Sequence, residues 1–538
     1  MFRSLHDSCL PLLLESRRTT VACSVRTAIL SAIFALCFFL ASCGSSNSTQ
    51  ALQVNVANSA NPLVAQVTIG SGCTGQVMVE FGPDTSYGRS TSWYPIDSAP
   101  ITVQVAGMRA STVYHMRAQR QCLGVTTTSQ DTVFTAGAPP SIPFPAVQVS
   151  RSDPPDSTEN PGVELLDTIA TTGTNQIQAF VTDRDGNPIW YYDVGQGKFP
   201  YIYKLLPNGN FLFMIVDPTG GDSWLREVDL AGNTIRQIDI LTLQQRMQAA
   251  GFDFVPDGYH HDFLLLDNGH VVVLVTQTKE FIDLPGYPGT TQVIGDGLVD
   301  LDSNFNPVWA WNGFDFPDWL DVNRHLFGLP DWTHSNAVIY SPTDGNLIVS
   351  MRHQSWVIKI DYNNGAGTGN VLWRLGYQGD FALAQGEDPS LWFSFQHFPV
   401  ITTQSGTQTS LAIWDNGDYR PLDTNGTTCV IPGPPACYSR ATIFQVDESS
   451  KVADLLWAYA PGMFSIWGGS INQLANGNVE FDLNAPQVPP SDGVASQLQE
   501  VTQTDTPTVI WKMDVPLPVN AYRAYRIPSL YPGIIWQQ

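Results

Sequence analysis

Three of the nine histidines in the chain occupy the same place in a recurring sequence pattern. His261, His334 and His397 each precede an apolar segment that runs towards a turn of the Asn-Gly, Asp-Gly or Asp-Asn-Gly type. Imidazole titrates near neutral pH and can serve as a general acid, a general base or a nucleophile. One histidine at such a place is usually a hydrogen-bonded structural residue, whereas three in register predict a shared catalytic site.

The segments that must position these histidines belong to a repeat, and this repeat predicts the fold. Each copy is an apolar strand, often an Asp, a turn and a second apolar stretch that usually ends in Trp. The copies span Phe180–Trp190, Glu227–Ile235, Val299–Trp309, Ile358–Trp373, Phe444–Trp457 and Glu500–Trp511. Six copies, alternating with a second turn-and-strand unit, predict a six-bladed β-propeller over residues 161–538. The alternative is a large sandwich or jelly roll, which has no need for a six-fold repeat.

In a propeller the innermost strand of every blade begins near the central channel. Residues at equivalent positions in different blades then converge, so the three imidazoles are expected to face one another. His260 adjoins His261, and in a regular strand its side chain points the other way, so we predict a structural role for it. The histidines without a counterpart in register are assigned no function: His270, His325 and His353.

Residues 51–137 alternate apolar with polar positions over short runs, as in Gln76–Phe81 and Ile101–Val105. Turns rich in Gly and Pro separate these runs, and the pattern predicts a small antiparallel β-sandwich. Its details resemble a fibronectin type III or immunoglobulin-like domain. Residues 138–160 form a Pro-rich linker. The predicted chain is therefore all-β, apart from a short surface helix over Leu241–Ala250.

The segment 1–43 is predicted to be a lipoprotein signal peptide rather than part of the fold. A basic region precedes the apolar run Ala28–Leu40, which leads into Leu40-Ala41-Ser42-Cys43 and resembles a bacterial lipobox. We therefore expect cleavage before Cys43, lipidation of its thiol and a polar tether over residues 44–50. Glycine rather than aspartate after Cys43 favours the outer membrane, so an exported lipoprotein at the periplasm or cell surface is expected. The alternative is an uncleaved N-terminal anchor.

Four cysteines remain beyond this segment, and an even number in an exported protein indicates disulfides. Proximity along the chain pairs Cys73 with Cys122 and Cys429 with Cys437. None of the spacings resembles a zinc site, so no metal is predicted.

Composition excludes one large class of function. The chain has 538 residues, of which 43% are hydrophobic and 14% charged, and its formal net charge is -23. Such an acidic surface repels polyanions, so nucleic-acid binding is not expected. An anionic substrate would need a shielded local cluster of cationic or donor groups.

Short motifs around the histidines resemble those of one family. His334-Ser335-Asn336 is followed by Ser350-Met351-Arg352, and Gln396-His397 by Asp415-Asn416-Gly417-Asp418-Tyr419-Arg420. With the late Tyr522-Arg523-Ala524-Tyr525-Arg526, they resemble the bacterial aryl-sulfate sulfotransferases, which work without an adenylylated sulfate donor. The resemblance covers the whole mature chain, from the sandwich through the propeller, and includes the small disulfide loop near the third histidine.

The resemblance implies a role for each histidine of the register. His397 corresponds to the histidine that is transiently sulfated, and His261 and His334 correspond to its two supporting histidines. A neutral imidazole is a competent nucleophile, and a second imidazole can protonate a departing phenolate and later deprotonate an acceptor phenol.

The resemblance also implies the groups that bind sulfate. Asn336 and Arg352 correspond to the sulfate-binding pair, because an amide and a planar guanidinium suit sulfate oxygens. A hydroxyl from a later repeat completes the site, for which we predict Ser470, with Ser465 as the alternative. For Arg352 the competing interpretation is a structural ion pair between blades. Two further residues are interpreted as structural: Asp415 and Arg420.

The main hypothesis is a ping-pong aryl sulfotransferase that needs no nucleotide, metal or organic cofactor. A phenolic sulfate ester gives its sulfuryl group to His397, and a phenol accepts it; the proton carrier is either His261 or His334. The alternatives are a non-catalytic surface lipoprotein that binds a ligand or a protein partner, and a sulfatase-like hydrolase in which water replaces the phenol. The sandwich would either dock a second subunit, giving a homodimer, or lift the propeller from the membrane.

Overall fold

The structure is a computed structural model that describes residues 52–70, 72–153, 158–170, 175–218, 221–316, 330–429, 437–484, 486–488 and 493–537. The predicted signal peptide, the lipidation residue Cys43, the tether and His325 lie outside the described residues. Ala51–Gln538 group into one compact unit. No described helix is both long enough and apolar enough to cross a membrane.

The N-terminal part of the described chain is a β-domain of two antiparallel sheets. Its strands are β1 (Val54–Asn58), β2 (Ala65–Ile69), β3 (Gly75–Gly82), β4 (Arg89–Ser90), β5 (Tyr94–Ile96), β6 (Ile101–Val105), β7 (Val113–Cys122), β8 (Val125–Thr128) and β9 (Thr132–Thr135). One sheet has the order β1-β2-β6; the other has β4-β3-β7-β8, with β5 on β3 and β9 on β7. Alternate residues of β3 (Val77, Val79 and Phe81) are buried, as the period of two predicts. The disulfide Cys73–Cys122 lies in this domain.

The remaining strands follow in chain order. They are β10 (Gln148–Arg151), β11 (Val163–Ala170), β12 (Ala179–Thr182), β13 (Pro188–Tyr192), β14 (Phe199–Leu205), β15 (Phe211–Asp217), β16 (Asp222–Val228), β17 (Thr234–Asp239), β18 (Gly258–Leu265), β19 (Val271–Leu284), β20 (Tyr287–Leu301), β21 (Pro307–Asn312), β22 (Ser335–Ser341), β23 (Asn346–Met351), β24 (Trp356–Ile360), β25 (Val371–Leu375), β26 (Ala382–Leu383), β27 (His397–Ser405), β28 (Gln408–Asp415), β29 (Arg440–Asp447), β30 (Val452–Tyr459), β31 (Phe464–Ser465), β32 (Ser470–Gln473), β33 (Val479–Asn484), β34 (Pro486–Val488), β35 (Val494–Val501), β36 (Val509–Pro516) and β37 (Val519–Ile527).

These strands form repeated four-stranded antiparallel sheets, six in the described residues. Five are β14 to β17, β18 to β21, β22 to β25, β27 to β30, and β32-β33-β35-β36; the sixth joins β37 to β11, β12 and β13. Short β26 adds to β30, and β10, from the predicted linker, adds to β36. The prediction of an all-β chain with repeated sheets and an N-terminal β-domain is confirmed.

The first strands of successive sheets touch one another in order. Contacts run from β14 to β18, β22, β27, β32 and β37, and β11, which pairs with β37, contacts β14. The residues at the beginnings of these strands are therefore close together although they are far apart along the chain.

The repeat seen in the sequence has a local physical cause. Its Asp ends the third strand and accepts amide protons from the following turn: Asp183 Oδ1 accepts from Asn187 N at 3.0 Å, and Asp302 Oδ1 from Asn306 N at 2.8 Å. Its Trp lies on the fourth strand and bonds to a neighbouring sheet, since Trp190 Nε1 donates to Leu230 O at 2.8 Å. The repeat thus encodes turns and contacts between sheets.

The helix α1 (Ile240–Ala250) connects two sheets, close to its predicted position. Asp239 caps its N-terminus by accepting from Thr242 N at 2.7 Å, and Gly251 ends it in the left-handed region with a φ of 83°. Ile240, Leu243 and Met247 form its buried face.

Candidate active site

The three predicted histidines lie at or near the beginnings of the first strands of three sheets. His261 is in β18, His334 immediately precedes β22, and His397 opens β27. The ring centroids of His261 and His334 are 4.8 Å apart. Tyr522 on β37 lies beside two of them, with its ring centroid 5.7 Å from that of His261 and 6.3 Å from that of His397. The structure therefore brings the three imidazoles together.

Backbone kinks place these rings. His261 and His334 have φ values of 60° and 44°, and Phe398, next to His397, has 48°. The left-handed region costs a residue with a side chain about 1–2 kcal/mol, so the surrounding fold must impose these conformations. Next to each kink the strand pairing shifts: between Tyr259 and Phe263, between Ser335 and Ala337, and between His397 and Val400.

The kink at His261 shows that the predicted direction of the His260 side chain is wrong. The two side chains do not point in opposite directions, because their Nδ1 atoms lie 2.7 Å apart and the strand pairing shifts between Tyr259 and Phe263. Nε2 of His260 is 3.2 Å from Asp296 Oδ1. Burial opposes ionisation of that carboxyl, but His260 and nearby donors outweigh it and lower the pKa of Asp296 to about 2. His260 therefore contacts both His261 and the carboxylate of Asp296 and takes a structural role.

Hydrogen bonds fix the tautomer of His397. The side-chain nitrogen of Asn416 donates to Ser465 O at 3.0 Å and Gly468 O at 3.1 Å, so its Oδ1 is left as an acceptor. That oxygen is 2.7 Å from Nδ1 of His397, which must carry the proton. Nε2 consequently bears the lone pair and accepts from Gly468 N at 3.2 Å.

The electrostatic surroundings keep His397 uncharged. The residue is only 2% exposed. Burial, reinforced by the nearby guanidinium of Arg352, lowers the pKa of His397 well below its usual value. Burial and neighbouring His334 lower the pKa of His261 in the same way. Both imidazoles are therefore neutral near pH 7, as a nucleophile requires.

Arg352 follows β23 and is 1% exposed. Its guanidinium donates to Nε2 of His353 at 2.9 Å, to Ile466 O at 2.7 Å and to Asp418 Oδ2 at 3.2 Å. Burial raises the pKa of Asp418 to about 8 despite Arg352, so this carboxyl is largely protonated at pH 7. Arg352 therefore lies beside a carboxyl that is largely neutral at pH 7, while Asp331 adds a further acidic group nearby.

Asn336 is fully buried on β22. Its side-chain nitrogen donates to Gln396 O at 2.7 Å, which uses one of its two N–H donors. Its side-chain oxygen is buried and has no hydrogen-bond partner in the described part of the chain. The main-chain oxygen of Asn336 accepts from a second buried guanidinium, Arg523, which also lies 3.3 Å from Asp262. Arg523 therefore adds positive charge close to the histidines.

The hydroxyl groups of Ser470 and Ser465, which were predicted to bind sulfate, hydrogen-bond to main-chain oxygens instead. Ser470 Oγ donates to the main-chain oxygen of Ala524, and Ser465 Oγ donates to those of Asn484 and Trp467. The structure thus does not offer either proton to a ligand. The hydroxyl of Tyr522, by contrast, is buried and has no hydrogen-bond partner among the described residues. Burial raises its pKa, so it remains a protonated donor.

His334 is paired with a carboxylate. Its Nδ1 lies 2.7 Å from Asp331 Oδ2, so this nitrogen donates to the carboxylate. The side chain of His334 is 23% exposed, whereas His261 and His397 are buried. His334 is therefore the histidine of the register that solvent and an acceptor reach most easily.

His353, to which the sequence assigned no role, forms a second layer. Its ring stacks on His334 with centroids 4.5 Å apart, and its Nδ1 donates to Asp331 O at 2.9 Å while Nε2 faces Arg352. Burial lowers its pKa to about 3. The donor atoms of Asp331, His334 and His353 come within 4.8 Å of one another. They are held by hydrogen bonds and adjoin a guanidinium, which disfavours a metal cation there.

Asp415 and Arg420 take the structural role predicted for them. Asp415 Oδ2 pairs with Arg420 at 2.8 Å and with Arg440 at 2.7 Å. The buried disulfide Cys429–Cys437 closes the adjoining loop, and Cys429 N donates to Arg420 O at 2.9 Å. This framework fixes the segment that carries Asn416 and Asp418.

The site thus combines a neutral imidazole, a buried guanidinium and a carboxylate-paired histidine at the first strands of repeated β-sheets, a composition suited to the transfer of an anionic group. A family model described as Arylsulfotransferase (ASST) matches residues 148–526. The chain belongs to the arylsulfotransferase (ASST) family and is an aryl-sulfate sulfotransferase.

Solved structures give weaker likenesses. A protein of unknown function from Bacteroides caccae is 10% identical, with 72% of this chain and 94% of that chain covered and a TM-score of 0.30. A putative 6-phosphogluconolactonase from Bacteroides fragilis is 10% identical, with 84% and 98% covered and a TM-score of 0.33. A mutant Synechocystis apocarotenoid oxygenase is 9% identical, with 86% and 81% covered and a TM-score of 0.29. Such scores carry no argument, and no curated protein matches the chain.

Proposed function

We propose that the protein transfers a sulfuryl group from a phenolic sulfate ester to a phenol through a sulfated His397. The repeated sheets would be the blades of a six-bladed propeller, with the site at the inner strands. The contacts between successive inner strands and the pairing of β37 with β11 support this architecture. The observation that carries the proposed chemistry is the lone pair on Nε2 of His397, fixed by Asn416 and unprotonated near pH 7.

In the first half-reaction, Nε2 of His397 attacks the sulfur atom of the donor. The nitrogen–sulfur bond forms as the bond between sulfur and the aryl oxygen breaks, and the phenolate leaves with the bonding electrons. A proton from Nε2 of a protonated His334 neutralises this phenolate. In the second half-reaction, His334 takes a proton from the acceptor phenol, whose oxygen attacks sulfur and releases His397 as a neutral imidazole.

The transition state spreads negative charge over three sulfuryl oxygens, as in phosphoryl transfer. Arg352, the second side-chain N–H of Asn336 and the hydroxyl of Tyr522 are the donors proposed for these oxygens. Gly468 N, which donates to Nε2 before the reaction, is released when Nε2 bonds to sulfur. It is then placed beside the transferred group as a further donor.

Replacement of His397 tests this role. We expect His397→Ala to lose transfer from 4-nitrophenyl sulfate to phenol by at least about 10³-fold, because the imidazole proposed to carry the sulfuryl group is removed. His270→Ala is the matched control, since His270 pairs with Asp300 away from the inner strand ends. Transfer at near wild-type rate in His397→Ala would refute the proposal.

Dependence on phenol separates transfer from hydrolysis. If water were the acceptor, 4-nitrophenol release would be independent of phenol and free sulfate would accumulate. We expect release to stop after a single turnover without phenol, and phenyl sulfate to form when phenol is added. Continuous sulfate production without phenol would support the sulfatase-like alternative.

We also propose export and lipid anchoring through Cys43. The two disulfides of the described residues support an oxidising compartment, because such bonds are rare in the cytosol. Metabolic labelling with a radioactive fatty acid tests the anchor. We expect wild-type protein to be labelled and Cys43→Ser not to be; equal labelling would reject the anchor.

A further inference from the structure

A cavity of about 280 Å³ lies outside the candidate active site, where the N-terminal β-domain meets the remainder of the chain. We call it the arginine cavity. Its lining residues are Arg89, Arg109, Arg151, Asp183, Arg184, Asp185 and Gln537. They come from the N-terminal domain, from β10, from the turn between β12 and β13, and from the C-terminal segment. Four guanidinium groups from separate segments thus converge in a chain whose net charge is -23.

The carboxylates of the cavity do not balance its cations. Arg109 pairs with Asp183 at 2.6 Å, and Arg151 approaches Asp185 at 3.2 Å. Asp183 also accepts two amide protons of its own turn, so part of its negative charge stabilises that turn. Glu159, at the edge of the cavity, bridges Arg151 and Arg184 at 2.6 and 2.7 Å. Among the side chains that the structure describes, four cations therefore face three anions.

Arg89 is the cation left without a carboxylate among the described residues. Its guanidinium donates to Gly107 O and packs over the ring of Trp536, with 5.1 Å between the guanidinium carbon and the ring centroid. Burial lowers the pKa of Arg89, although the nearby charge of Asp183 opposes this shift. In addition, Nε of Arg184 is buried and has no partner in the described part of the chain.

A guanidinium that is not paired with a carboxylate and a buried N–H donor without a hydrogen-bond partner are groups that can bind an oxyanion. Arginine presents planar pairs of N–H donors that match the oxygens of sulfate, phosphate or a carboxylate. Guanidinium groups that approach from several directions match the oxygens of a tetrahedral group better than the oxygens of a planar group, which lie in one plane. We propose that the arginine cavity binds a doubly charged tetrahedral oxyanion, either free or as the monoester end of a larger molecule.

The proposal does not depend on the reaction at His397. The cavity joins three parts of the chain that are far apart in sequence, so an anion bound there stabilises their contact. A ligand that binds only the folded state raises its stability in proportion to the logarithm of its concentration. Thermal melting is therefore a direct readout, separate from catalysis.

The test uses the mature protein, with sodium phosphate as probe and sodium chloride at equal ionic strength as reference. Arg89→Gln removes a cation without leaving a carboxylate unpaired. Arg374→Gln is the control, because Arg374 pairs with Asp380 on the surface. Arg352→Gln removes the anion site beside His397. We expect phosphate to raise the melting temperature of wild type, Arg374→Gln and Arg352→Gln, and Arg89→Gln to need at least about tenfold more phosphate.

A second arm identifies the source of the anion. Vesicles of phosphatidylcholine with phosphatidic acid present the same monoester group on a lipid, and pure phosphatidylcholine vesicles do not. Stabilisation by free phosphate that depends on Arg89 supports a small-molecule site, and Arg89-dependent co-sedimentation with the acidic vesicles alone supports a lipid headgroup site. If Arg89→Gln matches wild type in both assays, or if chloride stabilises as well as phosphate does, the proposal is overturned. Unchanged aryl sulfate transfer in Arg89→Gln shows that the variant is folded.

Discussion

Oδ1 of Asn416 lies 2.7 Å from Nδ1 of His397, and this contact decides which nitrogen of the imidazole carries the lone pair. The amide of Asn416 is itself held by Ser465 O and Gly468 O, so it cannot turn its nitrogen towards the ring without losing two hydrogen bonds. Asn416, which directly follows β28, thus orients the nucleophilic imidazole of His397.

Asn416→Ala tests this orientation. Loss of a buried hydrogen bond costs about 1–3 kcal/mol, so we expect kcat/KM for 4-nitrophenyl sulfate to fall roughly 10- to 100-fold. KM should change little, because the sulfate donors remain in place. Asn370→Ala, at an exposed loop position, serves as the control. Equal kinetics for Asn416→Ala and wild type would show that the tautomer of His397 is not set by this contact.

Arg352→Lys tests whether sulfuryl transfer needs the paired N–H donors of a guanidinium. The substitution keeps the positive charge but loses the paired donors, and removal of one preorganised donor typically costs about 3–4 kcal/mol in the transition state. We expect kcat to fall on the order of 10²- to 10³-fold. Arg226→Lys, on a strand distant in the sequence, is the control. Only a mild loss in Arg352→Lys would favour the structural ion-pair interpretation of this residue.

Tyr522→Phe should separate stability from activity. Its buried hydroxyl has no hydrogen-bond partner among the residues described, so removing it is expected to leave the melting temperature unchanged or higher while sulfuryl transfer falls roughly 10- to 100-fold. Tyr525 provides the opposite case, because its hydroxyl donates to Tyr203 O at 2.9 Å. Tyr525→Phe should lower the melting temperature and leave transfer largely intact. Full activity in Tyr522→Phe would remove this hydroxyl from the proposed site.

The pKa of Asp418 predicts an alkaline limit to substrate binding. Burial raises this pKa to about 8, so the carboxyl is protonated below that pH and ionises above it. Once ionised, it compensates the charge of Arg352 at 3.2 Å and weakens the attraction for sulfate. We expect KM for the aryl sulfate to rise as pH increases through about 8. Asp418→Asn, which cannot ionise, should show a flat KM over this range; the same rise in that variant would exclude this cause.

The sequence predicted those parts of the fold that depend on local chemistry. The Asp of each repeat caps a turn through its own neighbours, so Asp183 and Asp302 mark strand ends without reference to the rest of the chain. The histidine register was visible because equivalent strand positions in stacked sheets come together. His261 and His334 are accordingly neighbours in the structure.

Other features depend on distant contacts and left no local signal. The positive φ of His261 turned His260 towards it, although strict alternation predicts the opposite. The family resemblance predicts a sulfate-binding role for Ser470, but its hydroxyl donates to the main-chain oxygen of Ala524 on another strand. The sequence motifs that contain Asn416 and Tyr522 do not by themselves indicate a role for either residue. The contact of Asn416 with His397 and the unpartnered hydroxyl of Tyr522 depend on how the sheets pack.

The central claim is covalent sulfation of Nε2 in His397. Incubation with 4-nitrophenyl sulfate without an acceptor, followed by peptide mass mapping under non-acidic conditions, tests it most directly. We predict the added mass of one SO3 group on the peptide that contains His397, absent from His397→Ala and lost when phenol is added. Stoichiometric release of 4-nitrophenol with no such adduct, or with the group on a different residue, would contradict the account.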